Sequence, residues 1–280
     1  MCYTNNMLVA VDTGGTKTLI AGFDHDGNIV GEMEKFPTPR DPNEYVSVVR
    51  KKLQDMFGSH DVEALVIGLP GIVKDGVAIW CSNLGWKDFE AEKEFTGLFK
   101  DAPVLIENDA NLAGLAETRL IDPLPVSALY VTISTGIGTG VITNGHIDPG
   151  LRHSEAGHAL VDFEGEVREW ESFASGKAIY QVYGAYGHEI TDQAVWQEIA
   201  ERISRGFLAV IPTLQPDVVI IGGSMGTHFE KYNRQLEAIL RKELPPHMLY
   251  PHFKQAEHPE KAVIYGCYYY AVDYLTREQA

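Results

Sequence analysis

The chain has little cysteine, little positive charge and no long apolar run, and each shortage excludes a class of protein. Its three cysteines are widely spaced and form no CxxC pair, so neither a disulfide framework nor a cysteine-ligated zinc site is indicated. The net charge of −16 leaves no basic block for duplex DNA or an anionic membrane. No segment approaches the roughly 20 apolar residues of a bilayer span, and the amino terminus lacks a signal-peptide pattern. A reducing cytoplasm is the expected compartment.

Two common phosphate-binding patterns are also missing. The P-loop pattern GxxxxGK[ST] fails because Lys17 follows Thr16, where the pattern needs a glycine. The segment Gly136–Gly140 reads GxGxG instead of GxGxxG, and the residues after it have the pattern of a strand and a turn rather than a helix. The sequence therefore excludes a P-loop and a Rossmann dinucleotide site.

What the chain does contain is a repeated strand–loop–strand segment. Leu8–Thr18 (LVAVDTGGTKT) is echoed by Leu129–Val141 (LYVTISTGIGTGV), and a hairpin turn signal follows each copy, at Asp26-Gly27 and at Asn144-Gly145. Glycines let backbone N–H groups approach phosphate oxygens, and threonine hydroxyls add neutral donors. Either loop alone would also fit an ordinary tight turn. The matched pair favours a nucleotide held between two related lobes that face each other across a cleft.

The rest of the chain alternates predicted strands with predicted helices, which is typical of an α/β protein with parallel or mixed sheets. Buried-strand patterns lie at Glu63–Leu69, Val104–Ile106 and Val218–Ile221. Asp41 followed by Pro42 predicts the start of a helix. Further helices are predicted over about 192–211, ending near Pro212, and over about 227–242 and 260–276. Residues 74–86 are predicted to form a loop.

Asn108 and Asp109 stand where a predicted strand ends and a helix begins. Polar residues at the carboxyl end of a strand in an open α/β sheet face the ligand crevice. Either residue would also serve simply as the cap of the helix. The alternative is that Asp109 is the base that accepts a proton from an attacking hydroxyl in phosphoryl transfer.

Asp12, at the end of the first strand, is predicted to lie in the same crevice. A hard carboxylate beside phosphate loops suits Mg²⁺, held through water because the ion keeps part of its hydration shell. The alternative is an Asx contact to the next backbone amides. Lys17 is either a phosphate contact or a solvated surface lysine.

A second polar group follows the second hairpin. Glu155 and His158 lie close in the chain, and Glu171 follows thirteen residues after the histidine. Carboxylates and an imidazole converging on a cleft suit a polyol, whose hydroxyls donate and accept hydrogen bonds at fixed spacing. A histidine on its own is more often a surface or core residue than a ligand.

Taken in order, eight short segments resemble the ROK family of sugar kinases. They are DTGGTK (12–17), GLPGIV (68–73), NLGW (83–86), ENDAN (107–111), TGIGTG (135–140), EAGH (155–158), WESFASG (170–176) and VVIIGG (218–223). The resemblance spans essentially the whole chain. It implies the two-lobed actin-like ATPase (ribonuclease H-like) fold of the actin/Hsp70/hexokinase superfamily, with the lobes at 1–112 plus the carboxyl-terminal helix 260–280, and at 113–259.

The resemblance also assigns roles to individual residues. Asp109 is implied to be the catalytic base. The other sugar-contacting positions are Gly71, Asn83, Asn108, Glu155, His158 and Glu171. The first phosphate motif is Asp12, Gly14, Gly15, Thr16 and Lys17, and the second is Thr135, Gly136 and Gly138. Gly222 and Gly223 match the adenosine-side motif. The implied cofactors are ATP and Mg²⁺.

The chain departs from the family pattern in one segment. Many members place a cysteine cluster, CxCGxxGC, between the GH pair and the later glutamate, and bind structural zinc with it. Here Ala159–Trp170 contains no cysteine, so no zinc is predicted. His158 then loses a metal-ligand role, and Phe163 and Trp170 are predicted to pack where the metal would sit.

The leading functional hypothesis is an ATP-dependent kinase for the 6-hydroxyl of an aldohexose. The NLGW segment resembles the glucokinase branch and favours glucose. N-acetylmannosamine or N-acetylglucosamine kinase is the alternative, and polyphosphate is an alternative donor. A catalytically silent sugar-binding regulator and a sugar-independent ATPase belong to other classes. A repressor would need an amino-terminal DNA-binding segment, whereas the first strand begins near residue 7. Small-molecule partners are expected, and the family commonly forms homodimers.

Overall fold

The computed structural model describes residues 6–278, and its contacts divide the chain into two units. The first unit takes the chain up to Ala116 together with the segment from Lys261, and the second is Glu117–Glu260. Among the described residues, no helix is long and apolar enough to cross a bilayer. Cys81 and Cys267 are buried, free thiols, and Cys2 lies outside the described residues.

Eight strands belong to the first unit. They are β1 (Asn6–Thr13), β2 (Lys17–Phe23), β3 (Ile29–Pro37), β4 (Asp61–Leu69), β5 (Ile72–Lys74), β6 (Val77–Cys81), β7 (Trp86–Phe89) and β8 (Val104–Asn108). The helices of this part of the chain are α1 (Pro42–Phe57), α2 (Ala91–Phe95) and α3 (Asp109–Arg119). The main sheet has the order β3-β2-β1-β4-β8, in which β1, β4 and β8 are parallel and β2 and β3 are antiparallel to their neighbours. The short strands β5, β6 and β7 form a separate antiparallel sheet.

The central strand β1 is buried on both faces, which explains its almost continuous apolar sequence. Val9 and Val11 point into a core formed with α1, whereas Leu8 and Ala10 point to the opposite face, because side chains alternate along a strand. Helix α1 begins at the predicted position, where Asp41 accepts hydrogen bonds from two backbone N–H groups at 2.9 Å.

The second unit repeats this arrangement. Its strands are β9 (Ser127–Ile133), β10 (Ile137–Thr143), β11 (His146–Ile147), β12 (Leu160–Phe163), β13 (Glu166–Glu169), β14 (Val218–Gly222) and β15 (His252–Gln255). Its helices are α4 (Trp170–Ala174), α5 (Gly176–Tyr183), α6 (Gln193–Leu214), α7 (Gly223–Gly226) and α8 (Phe229–Glu243). The last helix, α9 (Ala262–Glu278), belongs to the first unit.

The two main sheets have the same strand order and directions. The second sheet has the order β11-β10-β9-β14-β15, with β9, β14 and β15 parallel and β10 and β11 antiparallel to their neighbours. In both sheets the strand that begins the unit is central, and the hairpin after it extends one edge. The prediction of an α/β protein built from a repeated unit with mixed sheets is confirmed.

One local prediction is wrong, and two are correct in place but differ in detail. Residues 74–86 are not a loop, because strands β5 and β6 are joined by a tight turn at Asp75-Gly76, where both residues have positive φ. Pro212 does not end α6 but lies in its last turn, and the helix continues to Leu214. Asp26-Gly27 does lie in the predicted hairpin turn between β2 and β3, but the turn is longer than two residues and spans 24–28, where backbone N–H groups bond to the carboxylate of Asp24. Asn144-Gly145 does form the predicted turn, with both φ angles positive.

Candidate functional site

The strand register of the first unit brings three of the predicted site segments to one edge of the sheet. Asp12 on β1 pairs with Gly68 on β4, and Gly68 pairs with Glu107 on β8. Because these strands are parallel, their carboxyl ends lie side by side, separated by about 4.8 Å per strand. Gly71 follows β4, and Asp109 follows β8, at this same edge.

The first glycine–threonine loop, Gly14–Thr16, is held by hydroxyl groups and backbone groups. Thr38 donates from its hydroxyl to the carbonyl of Gly14 at 2.8 Å and from its N–H to the carbonyl of Thr16 at 3.1 Å. The buried hydroxyl of Thr18 lies 2.9 Å from that of Thr38. No charged side chain takes part in these bonds. Thr38 was missed by sequence reasoning, since it lies outside the motif and nothing local marks it.

Asn83 and Lys17 flank this loop. A Cβ on Gly15 would stand 3.2 Å from the Cβ of Asn83, so these two predicted site residues touch. Asn83 is exposed, and its carbonyl accepts a bond from Arg40. Lys17 is exposed and makes no ion pair with a described residue. The side chain of Lys17 is therefore accessible to a ligand.

Asp12 is partly buried, and its carboxylate accepts no hydrogen bond from any described residue. The alternative role in an Asx turn is therefore not observed. Burial raises the pKa of Asp12 to about 7, against the opposing influence of Lys35. A cation beside this carboxylate would favour its ionised form. One carboxylate next to a loop of backbone amides suits Mg²⁺ brought in with phosphates, because that ion needs few protein ligands.

Asn108 caps helix α3, which is one of the two roles predicted for it from the sequence. Its Oδ1 accepts the N–H of Asn111 at 3.0 Å, while its Nδ2 donates to the carbonyl of Gly71 at 2.8 Å. One amide thus ties the start of α3 to the turn after β4. Gly71 needs to be glycine, because its φ is +86° and a Cβ would stand 2.1 Å from the carbonyl oxygen of Trp80.

Asp109 is the first residue of α3 and is partly buried. Its Oδ1 accepts the N–H of the next residue at 2.8 Å, and its charge helps burial to raise the pKa of the Cys81 thiol to about 12. The neighbouring Glu107 is 1% exposed and accepts bonds from the N–H of Asn108 and from the amide of Asn111. Glu107 was not predicted, although the argument that selected Asn108 from its place at a strand end applies to it equally.

The second glycine loop, Ser134–Gly136, is held by a carboxylate. Glu171 accepts the N–H of Ile137 at 2.6 Å through Oε2, and a Cβ on Gly136 would stand 2.2 Å from that oxygen. The carbonyl of Ser134 accepts the N–H of Gly176 at 2.6 Å. Thr135 is exposed, and Gly138 lies within β10.

Glu155, His158 and Glu171 are brought close enough to influence one another. Burial raises the pKa of Glu155, Glu171 raises it further and His158 lowers it. The turn that carries Glu155 and His158 packs closely on β10, since a Cβ on Gly157 would stand 2.1 Å from the carbonyl oxygen of Ile137. His158 is exposed, and its Nδ1 lies 3.2 Å from the carboxylate of Glu169.

The residues of the β12–β13 hairpin do not fit a zinc ion. The hairpin has no cysteine, and within residues 6–278 no three His, Cys, Asp or Glu side chains are grouped to hold a metal. Aromatic and guanidinium groups hold this region instead. Phe163 stacks on Phe173 with ring centroids 4.3 Å apart, and Arg202 lies 4.9 Å above Phe163. Trp170 is fully buried, so Phe163 and Trp170 both pack inside the unit.

A cavity of about 330 Å³ opens beside the second loop. Its lining includes Ser134 and Thr135 from the loop, Ser224 after Gly223, and a layer of aromatic rings. Tyr180 and Tyr186 stack with centroids 4.5 Å apart. Sequence reasoning selected the glycines at this edge but missed the aromatic residues, which come from α5 and the loop after it.

The glycines at the end of β14 reach the same place. Gly222 pairs with Thr132 on β9, and a Cβ on Gly222 would stand 2.2 Å from the hydroxyl of Tyr130. Gly223 has φ +76°, and its Cβ would stand 2.6 Å from the carbonyl of Ile133. Gly223 therefore requires glycine for a close approach of two backbones, whereas Gly222 leaves room for the side chain of Tyr130.

Comparison with known proteins matches a family model described as the ROK family to residues 8–273. The chain is 28% identical over 261 residues to the fructokinase of Pediococcus pentosaceus, covering 86% of each. It is 28% identical over 263 residues to an N-acetylmannosamine kinase of Escherichia coli, covering 84% of this chain and 88% of that one. In fold it is similar to a ROK family glucokinase from Streptomyces griseus, crystallised with glucose and AMPPNP, with a TM-score of 0.80, 23% identity and coverage of 95% and 99%.

Proposed function

The chain belongs to the ROK family, and we propose that it is a sugar kinase that transfers the γ-phosphoryl group of ATP to the 6-hydroxyl of an aldohexose, with glucose favoured. The observation that carries this proposal is the position of Asp109. A partly buried carboxylate starts a helix at the edge where three parallel strands end, beside the Asn108–Gly71 bond. This is the place where open α/β sheets bind ligands.

Asp109 would act as the base for the sugar hydroxyl. Phosphoryl transfer through a loose transition state depends mainly on positioning the nucleophile, which a single carboxylate bonded to the hydroxyl provides. Such general-base assistance contributes about 10²–10⁴ in rate. Asn108 keeps one amide hydrogen for a sugar hydroxyl while its other bonds fix the start of α3 and the Gly71 turn. Glu155, His158 and Glu171 would supply the remaining polar contacts.

The nucleotide would use both glycine loops and the cavity beside the second. The stacked Tyr180 and Tyr186 offer a flat aromatic wall for a base, and Lys177 in the same lining offers a cation for a phosphate. A cavity of about 330 Å³ is within the usual range of small-molecule sites. Mg²⁺ bound with ATP would neutralise phosphate charge, and Asp12 would hold it through water. Zinc is not part of the proposal.

A second candidate function is an N-acetylmannosamine or N-acetylglucosamine kinase. The observation that favours it is the 28% identity to a kinase named for N-acetylmannosamine, over most of both chains. Fructose is a further sugar to test, because another relative is named for it. A silent sugar-binding regulator is disfavoured by the retained carboxylate at Asp109.

The proposal is tested by ADP release from ATP-Mg²⁺ with glucose, mannose, fructose, N-acetylglucosamine and N-acetylmannosamine. We expect one sugar to give the highest kcat/KM, and Asp109→Asn to lower kcat for it by about 10²–10⁴. Asp101→Asn, a change in an exposed loop, is the matched control and should leave kcat unchanged. Turnover with polyphosphate but not with ATP would replace the donor in the proposal. Absence of turnover with both donors would reject a sugar kinase.

A further inference from the structure

Glu171 contacts the second phosphate loop, a proposed nucleotide site, and also lies beside Glu155 and His158, which are proposed to bind the sugar. Its Oε2 accepts the N–H of Ile137 at 2.6 Å, directly after the second phosphate loop. A bond from a peptide N–H to a carboxylate is stronger than a neutral one, so the loop conformation at this point depends on the position of the carboxylate. Its other oxygen, Oε1, receives no hydrogen bond from a described residue. One oxygen therefore serves the loop, and the other is open to a ligand.

The peptide group of Ile137 is contacted from its other side as well. Its carbonyl oxygen packs against Gly157, in the turn that carries Glu155 and His158. The N–H of Ala156 in that turn bonds to the hydroxyl of Thr139 at 3.2 Å, two residues along the same strand. Glu171 and the turn that carries Glu155 and His158 are thus both held against the first residues of β10.

We infer that Glu171 couples sugar binding to nucleotide binding, an inference that rests on the proposed function. A sugar hydroxyl donated to Oε1 fixes the carboxylate, and the fixed carboxylate holds Ile137 and the loop before it. A loop already ordered by the sugar then binds nucleotide at a lower entropic cost. The coupling is reciprocal, so nucleotide raises the affinity for sugar by the same factor.

The experiment is calorimetric titration with AMPPNP and Mg²⁺, with and without a saturating concentration of the preferred sugar. We expect the sugar to tighten AMPPNP binding to the wild-type chain by at least about fivefold. In Glu171→Gln this ratio should fall close to one, because a neutral amide holds the Ile137 N–H more weakly. Glu155→Gln makes the same chemical change in the same group without a bond to the loop. It should weaken sugar binding but keep the wild-type ratio once sugar is saturating.

Gly136→Ala disturbs the same contact by a change in the loop instead of in the carboxylate. It provides the test if Glu171→Gln binds sugar too weakly to be saturated. Its new Cβ would displace the carboxylate from Ile137, so the ratio should again fall close to one. A wild-type ratio retained in Glu171→Gln or in Gly136→Ala would overturn the inference, as would a wild-type ratio of one. A wild-type chain that binds no sugar of the panel would instead reject the proposed function itself.

Discussion

The two glycine loops have similar sequences and the same place in their sheets, yet different chemistry holds them. Gly14–Thr16 is fixed by the hydroxyl and N–H of Thr38, which are neutral donors to its carbonyls. Ser134–Gly136 is followed by an N–H that bonds to the carboxylate of Glu171. The repeat therefore defines the backbone shape of each loop, while the groups that stabilise each loop come from elsewhere in the unit. The first loop should depend on packing and neutral bonds, and the second should also depend on charge.

The largest expected effect is on stability, from the tight packing beside the second loop. In Gly157→Ala the new Cβ would stand 2.1 Å from a backbone carbonyl oxygen, which cannot move without shifting β10. We expect a loss of about 3 kcal/mol in the free energy of unfolding, measured by urea denaturation. Gly14→Ala in the first loop is the matched variant, since its Cβ would stand 3.0 Å from the carbonyl of Lys17. It should cost about 1 kcal/mol, and equal losses in both variants would contradict the comparison.

The next effect separates activity from stability. In Gly136→Ala the new Cβ meets the end of the flexible Glu171 side chain, which turns away at little cost to folding. The second loop then loses the carboxylate that fixes its position, and we expect kcat/KM to fall by about 10–100-fold. The thermal midpoint should fall less than in Gly157→Ala, because the new Cβ meets the end of a flexible side chain instead of a backbone carbonyl. Gly14→Ala should lower kcat/KM by less than this, and a fall in kcat/KM matched by a large fall in the midpoint would argue for general damage.

A smaller effect is expected when the neutral support of the first loop is removed. Thr38→Val keeps the side-chain shape but removes the hydroxyl that bonds to Gly14 and Thr18. We expect a loss of about 1 kcal/mol in urea unfolding. Thr276→Val removes an exposed hydroxyl that bonds to a helix carbonyl, and it should cost less than about 0.5 kcal/mol. No difference between the two variants would mean that Thr38 does not stabilise the first loop.

The smallest effect is the dependence of stability on pH that arises from Glu155 in the second unit. The folded chain raises the pKa of Glu155 above its ordinary value of 4.5, mainly by burial. The native state therefore binds the proton of Glu155 more tightly than the unfolded state does. The stability that this proton binding contributes is fully present below pH 4.5, and it is lost as the pH rises through the raised pKa. Glu155→Gln, which stays neutral, should gain stability relative to wild type as the pH rises from 4 to 7. The cost of Thr38→Val should be the same at both pH values, and an equally flat result for Glu155→Gln would contradict the account.

The sequence predicts the loops and their repetition well because these depend on local features. Buried apolar runs, Thr-Gly pairs and the Asn144-Gly145 turn are all visible within a few residues. An Asp-Gly pair lies in a longer loop organised by Asp24 at Asp26-Gly27, whereas the same pair at Asp75-Gly76 forms the tight β5–β6 turn. A local signal thus indicates a turn without specifying the length of the loop.

The support of the loops could not be predicted, because it depends on long-range contacts. The bond from Thr38 to Gly14 joins residues 24 positions apart. The bond from Ile137 to Glu171 joins residues 34 positions apart. The aromatic wall at Tyr180 and Tyr186 likewise becomes visible only when α5 and α7 line the same cavity. The roles of the predicted site residues in binding and catalysis stay predictions until they are measured.

The most direct test of the central claim is the identity of the product. Phosphorus NMR of the reaction with ATP-Mg²⁺ and the preferred sugar should show one new phosphomonoester on the sugar's 6-hydroxyl, formed in step with ADP. The Asp109→Asn chain should form it far more slowly. Inorganic phosphate and ADP appearing at the same rate with and without sugar, and no sugar phosphate, would contradict the claim and indicate a sugar-independent ATPase.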